Sequence, residues 1–127
     1  ICFTDMLATF AAMIGAELPA NAGEDSYNVF PAMLGESYEG PIREGLVVHS
    51  SIRQGDWKLI FGDGEGGLSR RYGGPEPRNP RKIPGELYNL REDLSETTDL
   101  YGSRPEIVAQ LTRLMERYRM DGRSAAR

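Results

Sequence analysis

The chain is poor in the residues that build metal clusters, disulfides and catalytic triads. Cys2 is the only cysteine and His49 the only histidine among 127 residues. One thiol excludes a disulfide within the chain and a thiolate cluster. One imidazole excludes a His–His metal pair. No apolar run is long enough to cross a bilayer, so no membrane partner is expected. The net charge of −4 offers no strongly basic face, which argues against nucleic acid. No internal repeat is present. The chain starts with Ile1 rather than Met, inside a helical pattern, and we therefore expect a truncated or processed polypeptide.

What is present fits a single domain with a modest core. The hydrophobic fraction is 39% and the charged fraction 27%, the balance of a globular protein. Of the fifteen glycines and eight prolines, seven and four fall within residues 62–85, which read as one long surface loop. That loop has a Gly-rich start and a basic centre at Arg70 and Arg71. Asp63 and Glu65 lie in its Gly-rich part, but no further oxygen ligands follow at a spacing that suits Ca²⁺.

The periodicity predicts an N-terminal helix capped by Thr4, carrying Asp5 in its first turn and ending at Gly15. Its residues Met6–Ile14 are apolar almost all round. Such a helix belongs inside a larger body. A homodimer formed through residues 4–14 is the alternative cover for it. A second helix is expected over Ser26–Leu34, stopped by Gly35. Glu44–Ser50 reads as a strand, β-branched at its centre. A hairpin follows, with Ile52 and Arg53 before a turn at Gly55 and with Trp57, Leu59 and Phe61 alternating after it. Leu87–Leu90 is the last strand. Asp93 and Glu96 should cap the turn over Thr97–Leu100. The closing helix has Ser103 as its expected N-cap, Pro105 in the first turn, Glu106 after it, and an apolar stripe of Ile107, Leu111, Leu114, Met115 and Tyr118. The composition past Met120 reads as a frayed tail. The expected fold is α+β: a small antiparallel sheet of about four strands packed on the C-terminal helix, with an apolar N-terminal helix.

The order Arg53…Gly55-Asp56-Trp57-Lys58-Leu59, then Leu87-Tyr88-Asn89-Leu90…Asp93…Glu96, then an amphipathic helix resembles the C-terminal subdomain of sulfatases, the arylsulfatase-like enzymes of the alkaline-phosphatase-type superfamily. The likeness runs from about Thr4 to Tyr118. It implies that residues 1–41 close a catalytic domain, that 42–120 form the subdomain, and that 121–127 are a tail. It also implies that the nucleophile, a formylglycine, and the Ca²⁺ ligands lie in an N-terminal domain absent from this chain. That domain would be the chain's partner, and the parent would hydrolyse an aryl or carbohydrate sulfate.

No catalytic residue, metal ligand or cofactor is expected within these 127 residues. Cys2-Phe3-Thr4-Asp5-Met6 is not the Cys/Ser-x-Pro-x-Arg motif of the family. Ser103-Arg104-Pro105-Glu106-Ile107 has Ile107 where that motif needs Arg. The resemblance implies that His49 and Ser50, with Arg53, line the substrate cleft. Only Ser50 and Ser51 separate His49 from the Ile52-Arg53 pair, a shorter connection than many relatives have. Export from the cytoplasm is a further implication of the resemblance alone. Two other readings stand beside it: an independent carbohydrate-binding or interaction module, and a fragment of a related phosphodiesterase or phosphonate hydrolase.

Overall fold

The computed structural model describes residues 1–62 and 84–125. The segment 63–83, read above as the body of a long loop, lies outside the described residues. The chain divides into two compact units, one of Ile1–Glu44 with Arg117–Arg127 and one of Gly45–Glu116.

The second unit is built on four strands: β1 (Leu46–Val48), β2 (Ser51–Gln54), β3 (Trp57–Phe61) and β4 (Gly85–Asn89). They lie antiparallel in the order β1-β2-β3-β4. Because cross-strand partners share a face, the register sets Val47, Ile52, Leu59 and Leu87 in one row. Ile52, Leu59 and Leu87 are fully buried, whereas Val47 on the edge strand stays 38% exposed. The adjacent row of the opposite face is Leu46, Arg53, Lys58 and Tyr88.

The β2–β3 loop has two residues, Gly55 and Asp56, with Gln54 paired to Trp57. Gly55 takes a φ of 57°. A positive φ at the first loop residue alone suits a type II′ turn, whose twist matches the strands. The free edge of β4 is covered by the chain that follows it. The Asp99 carboxylate accepts from the Leu87 amide at 3.0 Å, and the Leu100 amide donates to the Leu87 carbonyl at 2.8 Å.

The closing helix α3 spans Pro105–Asp121. Leu111, Leu114, Met115 and Tyr118 of its stripe are buried; Ile107 is half-buried. Gln110 Nε2 donates to Gln54 Oε1 at 2.7 Å, tying α3 to the β2–β3 turn. The cap falls one residue later than the sequence suggests. The Arg104 carbonyl accepts from Ile107 and Val108, while the Ser103 hydroxyl donates to the Leu100 carbonyl at 3.1 Å.

The first unit opens with a 3₁₀ turn over Phe3–Asp5 that runs into α1 (Met6–Met13). Its N-cap is Cys2 rather than Thr4, and the Cys2 amide donates to the Asp5 carboxylate at 2.7 Å. The second helix, α2, covers only Phe30–Met33, not Ser26–Leu34. The reason is that residues 26–29 are committed to α1. The Ser26 hydroxyl accepts from the Ala8 amide at 2.8 Å, the Val29 amide donates to the Thr9 hydroxyl at 3.1 Å, and the Tyr27 amide reaches the Asp5 carboxylate at 3.3 Å.

Residues 124 and 125, expected to fray, are instead hydrogen-bonded within the first unit. The Ser124 amide and hydroxyl both donate to Asp25 Oδ1, Tyr27 donates to the Ser124 carbonyl at 2.5 Å, and the Ala125 amide donates to the Glu24 carbonyl at 3.0 Å.

Candidate functional site

His49 and Ser50 form the whole two-residue loop between β1 and β2, since Val48 pairs with Ser51. Both are exposed. His49 holds a φ of 52°, a left-handed conformation that a β-carbon disfavours. The Ser51 hydroxyl, donating to the Val48 carbonyl at 2.8 Å, closes the loop beneath it. The imidazole thus stands at the tip of a short hairpin.

Arg53 lies at the other end of β2, exposed. Its Nε donates to the Gly55 carbonyl at 3.0 Å. Register sets it directly opposite Lys58. Two cations facing each other on a sheet repel. They are kept apart because Arg53 bends toward its own turn while Lys58 Nζ pairs with Glu96 Oε1 at 2.7 Å. The structure therefore brings His49 and Ser50 together but not Arg53. A four-residue strand at about 3.3 Å per residue separates the two turns by about 13 Å.

Two polar constellations escaped the sequence reading. Tyr88 donates to Glu86 Oε2 at 3.0 Å, and both residues are buried. Burial, reinforced by the Glu86 carboxylate, pushes the Tyr88 phenol far above its ordinary value. The i, i+2 spacing of Glu86 and Tyr88 on one strand face was the available signal. In the first unit Asp5 is fully buried and pairs with Arg43, whose guanidinium also lies 4.7 Å from the centre of the Tyr27 ring. No local spacing marks a pair so distant in sequence.

The Asp93 turn follows expectation. Asp93 Oδ2 accepts from the amides of Thr97 and Thr98 at 2.7 and 2.8 Å, and Oδ1 accepts from the Thr97 hydroxyl at 3.0 Å. Hydrogen bonding from Thr4 holds the Cys2 thiol below its ordinary value. A cleft of about 360 Å³ lies along Ala8, Ala11, Ala12, Ala16, Glu17 and Leu18. Glu17 is the one titratable residue in that lining, so the cleft has no acid–base pair. Among the described residues no group of three or more His, Cys, Asp or Glu side chains is arranged to hold a metal ion.

The chain matches no protein-family model. In backbone it is similar to the solved structure BT33336S-sulf, described with the metabolism of multiple glycosaminoglycans by Bacteroides thetaiotaomicron. The TM-score is 0.70 and the identity 29%, over 91% of this chain and 24% of that one. The structure of Ps i-CgsB follows at a TM-score of 0.55 and 25% identity, over 90% of this chain and 23% of that one. It is also known in complex with k-i-k-neocarrahexaose. These likenesses define a class: in sequence and fold the chain is similar to part of a sulfatase.

Among curated proteins the chain is similar to the N-acetylgalactosamine-6-O-sulfatase of Bacteroides thetaiotaomicron. It is 30% identical over 115 residues, which make up 88% of this chain and 22% of that enzyme. The chain thus spans under a quarter of the length of the relatives it matches.

Proposed function

We propose that this chain is the non-catalytic C-terminal part of a sulfuric ester hydrolase acting on a sulfated carbohydrate. The observation that carries this reading is the match to a carbohydrate sulfatase over nearly the whole of this chain but only 22% of that enzyme. Carbohydrate, rather than a simple aryl group, is favoured by the relatives: an N-acetylgalactosamine-6-O-sulfatase, a protein of glycosaminoglycan metabolism and a complex with a neocarrahexaose.

On this reading the formylglycine nucleophile and the Ca²⁺ belong to the remainder of the parent. There the cation would be held by several oxygen ligands and would stabilise charge on the sulfate ester. The role of this chain toward substrate would be to wall the cleft. His49 and Ser50, exposed on a hairpin tip, are the side chains offered for hydrogen bonds to a sugar. Arg53 would supply charge at a second position along the same strand, suited to a further anionic group.

The test is sulfate release from N-acetylgalactosamine 6-sulfate and from an aryl sulfate. The full-length parent should turn over, and the 127-residue chain should match a heat-killed control. A parent inactive on every sulfate ester, or turnover by the chain alone, would overturn the reading. In the active parent, H49A and R53A should raise KM more than they lower kcat. Unchanged KM in both would remove them from the cleft.

A further inference from the structure

The end of the sheet far from the His49 hairpin carries a row of uncharged planar side chains. Register sets Gln54 beside Trp57 and Trp57 beside Asn89. All three share the face of Ile52, Leu59 and Leu87, one step beyond that buried row. They are half-buried, and the exposed Gln110 of α3 reaches in to bond Gln54 at 2.7 Å. With about 4.8 Å between neighbouring strands, the row is about 10 Å wide. Each member keeps unused hydrogen-bonding capacity. The Gln110–Gln54 bond takes one amide hydrogen and one carbonyl, so the Gln54 amide group and the Gln110 carbonyl have no protein partner among the described residues. Asn89 Oδ1 accepts from the Arg91 amide at 3.1 Å, which leaves the Asn89 amide hydrogens open. The Trp57 indole N–H is accessible and meets no acceptor among the described residues. The flanking charges of Asp56 and Arg91 pair with each other at 3.6 Å.

We infer that this row is a glycan-contact site. The accessible part of the Trp57 indole packs on the C–H face of a pyranose unit, while Gln54, Gln110 and Asn89 exchange hydrogen bonds with its hydroxyls. A sugar hydroxyl both donates and accepts, and the row offers it donors and an acceptor side by side. An indole joins an apolar face to a single donor, which suits a ring that is greasy on its faces and polar at its rim. The row has no charge of its own, so it takes an unsulfated sugar unit; a sulfate group would call for a guanidinium aimed at it. A protein partner fits less well. Gln54, Trp57 and Asn89 lie on strands already paired within the sheet, and four side chains fall far short of the about 800 Å² that each side of a stable interface buries. That the ligand is a glycan rests on the proposed reading of the parent. The site is separate from the residues proposed for the cleft: His49 and Ser50 lie about 13 Å away along β2, and Arg53 is on the opposite face of that strand. The row holds the glycan and takes no part in the hydrolysis.

Trp57 is the only tryptophan of the chain, so a single indole N–H resonance reports the site. The experiment titrates the 127-residue chain with a hexasaccharide containing N-acetylgalactosamine, in sulfated and desulfated form, and with inorganic sulfate as the control. The desulfated sugar should shift the indole resonance and the side-chain amide resonances of Gln54, Asn89 and Gln110, saturating at millimolar concentration. Q110A changes an exposed residue and should weaken binding about fivefold, as the loss of one net hydrogen bond implies. Calorimetry with the desulfated sugar on the full-length parent and its Q110A variant repeats the comparison in the longer polypeptide. Resonances that stay still with both sugars, or move only with the sulfated sugar or sulfate itself, would overturn the inference. So would shifts centred on His49 and Ser50 that Q110A leaves unchanged, or equal affinity of the parent and its Q110A variant. Sulfate release separates the two readings. Binding by a chain whose parent hydrolyses no sulfate ester leaves the site intact and removes the hydrolase; sulfate release without binding does the reverse.

Discussion

Asp5 and Arg43, 38 residues apart, meet as an ion pair whose carboxylate is closed to solvent while its guanidinium is 19% exposed. The pair is well made. The carboxylate has two backbone donors besides the guanidinium, and the guanidinium lies over an aromatic face. A buried charge held this way contributes chiefly by the damage its loss would cause.

Removing one partner strands the other. D5A should destabilise the chain by about 3 kcal/mol in urea unfolding, and R43A by a similar amount, since each leaves an uncompensated partner. The double variant should cost clearly less than the two added together. Additive losses would mean that the two side chains act independently.

Tyr88 predicts an alkaline limb. Its phenol holds its proton in the folded chain above 10.0, the value it has unfolded. Between those two values the unfolded chain binds fewer protons than the folded one, so stability falls as pH rises. The contribution is whole below about pH 10 and drains away as pH climbs through the raised value. Y88F should flatten this limb, leaving the weaker share of Tyr118, whose phenol burial also raises. Urea midpoints between pH 8 and pH 11 check the slope, in the same notation of about one titrating group. At neutral pH, Y88F should cost about 1–2 kcal/mol for the hydrogen bond that Glu86 loses.

Gly85 opens β4 where no side chain fits. A β-carbon there would stand 2.5 Å from the Ile60 carbonyl oxygen and 2.9 Å from Cε2 of Tyr101. The first obstacle is backbone and cannot swing aside. G85A should cost about 2–3 kcal/mol by thermal or urea unfolding. G85A combined with Y101A should recover little, because the carbonyl contact remains.

His49 sits in a conformation that glycine adopts without strain. H49G should raise the stability of the chain by about 0.5 kcal/mol or leave it level, the relief of strain being set against greater freedom in the unfolded chain. A loss above about 1 kcal/mol would show the imidazole holding the hairpin together. Gain in stability with a raised KM in the parent would mark a side chain retained for binding at a cost to the fold.

The elements with strong local instructions were legible. Gly55 between two alternating strands announces a tight hairpin, Asp93 four residues ahead of Thr97 announces a side-chain cap, and the stripe from Leu111 to Tyr118 announces a buried helix face. What escaped depends on distant partners. Residues 26–29 looked helical because nothing nearby says that Asp5, Ala8 and Thr9 will claim their polar groups. Ser124 and Ala125 looked loose because Glu24 and Asp25, their partners, lie about a hundred residues earlier. Ile60 looked like the outer side of a strand, yet it is buried along with Glu86 and Tyr88. Alternation reveals one covered face of a sheet and is silent about a second. Of the residues proposed for the cleft, His49 and Ser50 read as the end of the strand Glu44–Ser50 but form the loop after β1, and nothing local shows that Arg53 would turn toward Gly55.

The contacts of Ser124 and Ala125 with Asp25 and Glu24 make the first unit discontinuous in sequence: the strands of the sheet fall between its two segments. All four strands are made before Ser124 and Ala125, so the sheet can pair while residues 24–27 of the first unit still await the contacts that complete it.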